Sequence, residues 1–235
     1  MSTPFSLAQF LDVFRRYNDA MWPAQAILVC LAIVALVSVL SARRGGSKVA
    51  SAVLAALWIW TGVVYHYVFF RAINPAATLF AIAFVLQGAL IAWLGVVRTS
   101  LRFEARAGWP RIVGGATMLY ALVGYPLIGY AIGHTYPAAP TFGVPCPTTI
   151  FTLGMLVWAT PPRSRAVVVI PTLWSAVALF AAIRFGMWED FGLVVAAGVA
   201  LVATLRRPWL DSGWSDPRLS LPRVTQQLNE SGILR

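Results

Sequence analysis

GHTYPAAPTFGVPCPTTIFTLG, residues 133–154, is the stretch that decides how this chain is organised. Here a histidine, a cysteine and several prolines and threonines interrupt a sequence that is otherwise almost hydrocarbon-like. Pro145 and Pro147 have no backbone N–H, so they leave carbonyl groups without partners at the start of a helix. Within a membrane, such irregular backbone survives only where protein or a water-filled cavity covers it. The stretch therefore predicts a site, although it does not name a ligand.

The composition around this stretch predicts an integral membrane protein. The 235 residues are 59% hydrophobic and only 11% charged, with a mean hydropathy of +0.75. A soluble domain carries about 25% charged residues, so this chain could not cover a surface that faces water. The net charge of +10 fits the excess of basic residues on the cytoplasmic side of membrane proteins. The expected partner is therefore membrane lipid, and no nucleic acid is expected.

Residues 1–22 are predicted to form a separate amphipathic segment. Ser6 and Gln9 have the spacing of a capping box at the start of a helix. A helix with this pattern lies in the membrane interface rather than across the membrane. A short helix packed on the bundle is the open alternative. Its apolar stripe has helical spacing and consists of Leu7, Phe10, Leu11, Phe14, Tyr17 and Met21.

The fold class that we predict is all-α, an integral membrane bundle of seven transmembrane helices. About 20 apolar residues are needed to cross about 30 Å of hydrocarbon, and each span was tested against that length. Residues 23–205 form this transmembrane domain, and residues 206–235 form a polar cytoplasmic tail. The seven predicted spans are 23–42, 49–70, 75–97, 112–133, 141–159, 166–183 and 191–205.

The distribution of basic residues predicts that the N-terminus lies outside and the C-terminus in the cytoplasm. With this orientation the outer side keeps only Arg15, Arg16, Arg71 and Arg184 of the 18 Lys and Arg residues. If span 141–159 were re-entrant, the residues after it would change sides and this bias would collapse.

The sequence places no Asp or Glu in the core of a predicted span. Glu189 and Asp190 are expected in the outer loop before the last span. An intramembrane carboxylate is the usual mark of a proton relay, so its absence argues against a proton-driven pump. The last span also has no lysine, which excludes a retinal Schiff base.

Polar groups that enter the bilayer gather at the outer ends of the spans, which predicts an outward-facing pocket. For each group there is a plainer explanation. The tyrosines fit an aromatic belt, His66 could bond a neighbouring helix, and His134 could cap or be solvated. Arg184 could pair with Glu189 or Asp190. The predicted ligand-binding residues are Tyr65, His66, Arg71, Tyr130, His134, Thr148, Thr149 and Arg184.

Cys146, His66 and His134 are the predicted metal ligands, because a thiol and two imidazoles suit a soft transition metal such as Cu(I), Zn(II) or Hg(II). The alternative is a kinked helix start with a buried, inert cysteine. A haem held by the two histidines is less favoured. C-x-x-C, H-E-x-x-H and G-x-S-x-G signatures are missing, so no catalytic residue is assigned.

Three blocks carry a resemblance to a known family. They are FSLAQFLDVFRRYNDAMWPAQ (5–25), YHYVFFRAINPAATLFAIAFVLQ (65–87) and HTYPAAPTFGVPCPTTIFTLG (134–154). Together they make the chain similar, over nearly its whole length, to a family of bacterial multi-pass membrane proteins known only as a domain of unknown function. The resemblance implies this architecture and a place in the bacterial inner membrane. It transfers no catalytic or binding residue.

The function predicted from these features is to bind or transport a small ligand or a soft metal ion through the outward-facing pocket. The alternative is an accessory or structural subunit of a larger membrane complex, or a homo-oligomer. The G-x-x-x-G pair Gly129 and Gly133 and the aromatic residues Trp58, Tyr65 and Phe69 would then serve helix association. A third, less favoured hypothesis is an intramembrane enzyme that uses Cys146 or His66.

Overall fold

The computed structural model describes residues 5–160 and 165–210, with side chains up to residue 205. Within these ranges the chain is helical, and its only β-structure consists of two isolated bridges. A π-helical segment, Thr61–Phe69, lies inside the third helix, and a 3-10 turn, Trp188–Asp190, precedes the last helix. The helices are α1 (Leu7–Met21), α2 (Ala24–Leu40), α3 (Gly46–Ala72), α4 (Ala77–Val97), α5 (Trp109–Ala131), α6 (Pro145–Val157), α7 (Ala166–Phe185) and α8 (Phe191–Leu210).

Five helical segments are long and apolar enough to cross a membrane, which indicates a membrane protein. They are α3, α4, α5, α7 and the segment Trp188–Leu205. A sixth results if α1 and α2, which meet at an angle of 85°, count as one broken span. Each predicted span does contain a helix, but the predicted count of seven spans is not confirmed.

Apart from α2, which counts as a span only together with α1, helix α6 is the reason that the count differs. It has 13 residues, so it is about 20 Å long and shorter than the hydrocarbon layer. It contacts α3, α5, α7 and α8, and every one of its residues except Cys146 is buried. The apolar residues that look like a membrane span therefore form the centre of the protein core.

Helices α5 and α6 cross closely because both have a glycine at the crossing point. A Cβ atom on Gly114 would lie 2.9 Å from the carbonyl oxygen of Gly154, and one on Gly154 would lie 2.9 Å from that of Gly114. The predicted G-x-x-x-G pair does not act in this way. Gly133 lies beyond the end of α5 with a φ of +98°, so Gly129 and Gly133 do not share one helix face.

Helix α1 packs on the bundle at the end where α6 begins, which we call the upper end. The predicted capping box is confirmed, since Ser6 N–H donates to Gln9 Oε1 at 2.8 Å and Gln9 N–H donates to Ser6 Oγ at 3.3 Å. Phe14 and Tyr17 are buried against Tyr65 of α3. The plainer alternative, a helix packed on the bundle, thus describes its contacts, and its place at a membrane interface remains a prediction.

Asn18 of α1 is fully buried and joins the N-terminal helix to the loop before α6. Its amide nitrogen donates to the carbonyl oxygens of Pro137 at 2.7 Å and Ala139 at 2.8 Å. Its side-chain oxygen accepts a hydrogen bond from the Thr141 hydroxyl at 2.7 Å. This residue fixes the loop that covers the upper end, and no feature of the sequence singled it out.

Candidate functional site

Two cavities occupy the upper end of the bundle. The first, which we call the aromatic cavity, has a volume of about 250 Å³. Side chains from α1, α3, α4, α5, α6 and α7 line it, together with Asp190. Half of the residues that line it are aromatic, including Phe10, Phe14, Phe70, Phe80, Phe180 and Phe185.

The polar groups of the aromatic cavity lie together around Asp190. This carboxyl group is 3% exposed and accepts a hydrogen bond of 2.6 Å from the hydroxyl of Tyr125. The thiol of Cys146 faces the same carboxyl group. The indole N–H of Trp174 lies near this thiol but makes no hydrogen bond. This part of the cavity can therefore bond to a polar group, while the rest of the wall is apolar except for Asn74.

The second cavity has a volume of about 400 Å³, and we call it the histidine cavity. His134 Nδ1 lies 2.8 Å from Oε1 of Glu189, and Glu189 is fully buried. The hydroxyl of Tyr120 donates to the backbone carbonyl of Glu189 at 2.6 Å, which holds this turn in place. Residues of α2, α5 and the loop before α6 complete the walls.

Glu189 lines the histidine cavity, and the next residue, Asp190, lines the aromatic cavity. Tyr125 lines both cavities. Both carboxylates lie between α7 and α8, where the sequence predicts a loop, but they are buried, with Glu189 0% and Asp190 3% exposed. The chain turns at Gly186 with a φ of +69°, and the following 3-10 turn directs both side chains into the bundle. The argument against a proton-driven function therefore loses its premise.

The predicted ion pair of Arg184 with Glu189 or Asp190 is not formed. Arg184 is exposed and makes no ion pair with Glu189 or Asp190, whose partners are His134 and Tyr125.

His66 is fully buried inside a group of aromatic rings, and it lines neither cavity. Its ring centroid lies 4.7 Å from that of Phe84 and 5.1 Å from that of Trp174. Neither ring nitrogen has a hydrogen-bond partner, so the predicted bond to a neighbouring helix is not formed. The imidazole acts here as a packing group.

The remaining predicted residues also lie away from the cavities. Thr148 and Thr149 are fully buried in α6, and neither hydroxyl has a hydrogen-bond partner. Arg71 is exposed and lies 4.1 Å above the ring of Tyr67. Of the predicted residues, the four that line a cavity are Tyr65, Cys146, Tyr130 and His134.

The structure does not assemble the predicted metal ligands into one group. Cys146 lines the aromatic cavity, His134 lines the histidine cavity, and His66 lines neither. Among the residues that the structure describes, no three His, Cys, Asp or Glu side chains are placed to hold a metal ion. Neither cavity is lined by both histidines, as a haem with two histidine ligands would require.

Comparison with known proteins identifies one family. Residues 7–212 match the Family of unknown function (DUF6064), so the match covers the whole bundle. No curated protein and no solved structure matches the chain.

Proposed function

This chain belongs to the Family of unknown function (DUF6064), and we propose that it is a membrane protein that binds a small, largely apolar ligand in the aromatic cavity. The observation that carries the proposal is a cavity of about 250 Å³ that is rich in aromatic residues and has a cluster of polar groups at Asp190, Tyr125 and Cys146. Ligand sites in proteins commonly combine apolar walls with a few convergent polar groups in this way.

The walls define what the ligand looks like. An apolar body would contact the phenylalanine rings, and one hydrogen-bonding group would reach the carboxyl group of Asp190. The cavity is a little smaller than the roughly 300–1,000 Å³ that is usual for drug-sized ligands, so the ligand is small. The unbonded indole N–H of Trp174 offers it a second contact.

Transport of this ligand across the membrane is the fuller form of the proposal. The aromatic cavity lies at one end of helices that are long enough to span a bilayer. Glu189 and Asp190 supply buried carboxylates, which are the groups that couple transport to proton movement in other membrane proteins. The distribution of arginines supports an outward-facing upper end.

Filling the cavity tests the proposal. Ala181 of α7 lines the aromatic cavity, and Ala176 of the same helix is exposed away from it. The purified wild type would be screened by thermal unfolding against small aromatic and aliphatic alcohols and acids. We expect a subset to raise the unfolding temperature of the wild type and of Ala176→Phe, but not that of Ala181→Phe. Equal stabilisation of all three proteins would refute binding in this cavity.

A further inference from the structure

We infer that the histidine cavity is a second, separate binding site, and that it takes a small organic cation with N–H donors, such as an arylalkyl ammonium. Two unpartnered acceptors, several aromatic walls and the charge of the lining residues support this inference. None of these observations involves the walls of the aromatic cavity that would hold the first ligand.

The unpartnered acceptors belong to Glu189 and Gln25. Glu189 is fully buried, and its Oε2 has no hydrogen-bond partner, while its Oε1 is held by His134. Gln25 is 6% exposed, and its Oε1 also has no partner. Both side chains line the histidine cavity. A buried acceptor without a donor is destabilising, so a ligand that donates to both atoms would recover free energy.

Contacts elsewhere hold both acceptors in place. The amide nitrogen of Gln25 donates to the backbone oxygen of Asn18 at 3.1 Å and to its Oδ1 at 3.3 Å. The amide is thereby oriented, and its oxygen is left without a partner. The imidazole of His134 orients the carboxylate of Glu189 in the same manner. A ligand would meet acceptors that need no rearrangement, which favours affinity.

The walls and the charge select a cation. Trp22, Tyr130, Tyr136 and Phe142 line the cavity, and the faces of such rings attract ammonium groups. Of the described residues that line this cavity, none is a lysine or an arginine. The charged groups that face it are the Glu189 carboxylate and its partner His134. An anion would therefore find no fixed positive charge there apart from a protonated imidazole.

Three probes of similar size test whether binding requires the positive charge, the N–H donors or both. Phenethylammonium carries charge and N–H donors, benzyltrimethylammonium carries charge without N–H donors, and 2-phenylethanol is neutral. Isothermal titration calorimetry would be run on the full chain in detergent. We expect phenethylammonium to bind about tenfold or more tightly than the other two, since each lacks one charged hydrogen bond. Equal affinity for all three, or no binding of phenethylammonium, would overturn the inference.

Two variants test whether Glu189 and Gln25 bind the ligand. Glu189→Gln removes the charge and Gln25→Leu removes the second acceptor, and each should weaken phenethylammonium binding by about tenfold. Because both side chains are buried, a third variant serves if either fails to fold. Ala26→Trp narrows the histidine cavity from the exposed surface of α2, and Ile27→Trp is its exposed neighbour outside the lining. Loss of binding in Ala26→Trp but not in Ile27→Trp is expected, and unchanged binding in both would contradict the assignment.

The variant that fills the aromatic cavity separates the two sites. Ala181→Phe should leave phenethylammonium affinity unchanged, because Ala181 does not line the histidine cavity. If Ala181→Phe abolished this binding, the cation would occupy the aromatic cavity and the inference of a second site would fail. The proposed function could fail in its own screen without affecting this result.

Discussion

At the scale of single residues, the most informative groups are the two buried carboxylates, each held by one partner from a neighbouring segment. Glu189 is held by His134, and Asp190 is held by Tyr125. Burial of an ionisable group is costly unless hydrogen bonds compensate it. The upper part of α5 and the turn that follows it therefore fix the segment between α7 and α8.

Tyr125→Phe should lower the free energy of unfolding by about 1–3 kcal/mol, because it leaves an oxygen of buried Asp190 without its donor. Tyr130→Phe is the matched control on the same helix, since Tyr130 is 70% exposed. It should change stability by less than about 0.5 kcal/mol. Denaturant unfolding in detergent, followed by tryptophan fluorescence, would measure both. Similar losses in the two variants would mean that the Tyr125 hydroxyl contributes little.

Asn18→Ala should be more disruptive, with a loss of about 2–4 kcal/mol, because it removes bonds to the loop carbonyls and leaves the Thr141 hydroxyl without its acceptor. The adjacent Asp19 is exposed, so Asp19→Ala serves as the control. Limited proteolysis between residues 132 and 144 would report whether the loop has come loose. A loop that stays resistant in Asn18→Ala would contradict this role.

The sequence predicted part of the site at this scale. It identified Tyr65, Cys146, Tyr130 and His134, because polar and aromatic groups at the ends of apolar spans are visible in the one-dimensional pattern. It placed Glu189 and Asp190 in the outer loop before the last span and did not predict that they are buried. Their burial depends on the direction of the turn after Gly186, and sequence spacing does not give that direction.

At the scale of helices, α6 shows why the architecture was predicted more accurately than the number of spans. Residues that face lipid and residues that face a protein core are both apolar, so composition alone cannot distinguish a span from a buried central helix. The helix boundaries near residues 145 and 157 follow from Pro145 and from the cap at Trp158. Its position at the centre of the bundle depends on contacts with four other helices, which local sequence does not encode.

Gly114→Ala should destabilise the crossing of α5 and α6. The added Cβ would lie 2.5 Å from Trp158 Nε1 and 2.9 Å from the Gly154 carbonyl oxygen, so the helices must move apart. We expect a loss of about 1–3 kcal/mol. Gly115→Ala is the matched control, because its nearest contact would be 3.7 Å away and alanine favours a helix by up to about 1 kcal/mol. A lower unfolding temperature for Gly115→Ala than for Gly114→Ala would contradict the packing argument.

At the scale of the whole molecule, the apolar surface of the bundle explains why so much of the sequence is hydrophobic. Large apolar side chains are exposed along the sides of the bundle, as at Leu79, Ile112, Ile183 and Val195. In a bilayer these apolar side chains contact lipid chains, which are an apolar environment, whereas water is not. Most of the arginines belong to the opposite, lower end and to the residues after α8.

The proposed orientation predicts which end is accessible from outside the cell. In a Cys30→Ser, Cys146→Ser background, Asp19→Cys at the upper end should react with a membrane-impermeant maleimide in intact cells. Arg44→Cys at the lower end should react only after permeabilisation. Both positions are exposed, so access to the reagent depends on the membrane alone. The reverse pattern would place the N-terminus in the cytoplasm.

The contacts of Asn18 also constrain the order of biosynthesis. Its bonding partners in the loop lie 119 to 123 residues further along the chain. At about 5–20 residues per second, the ribosome needs on the order of 10 s to synthesise them after Asn18 has emerged. During that interval three long apolar helices are delivered to the membrane, while α1 has neither its loop nor α6 beneath it. Helix α1 is therefore made well before the loop residues that hold it in place.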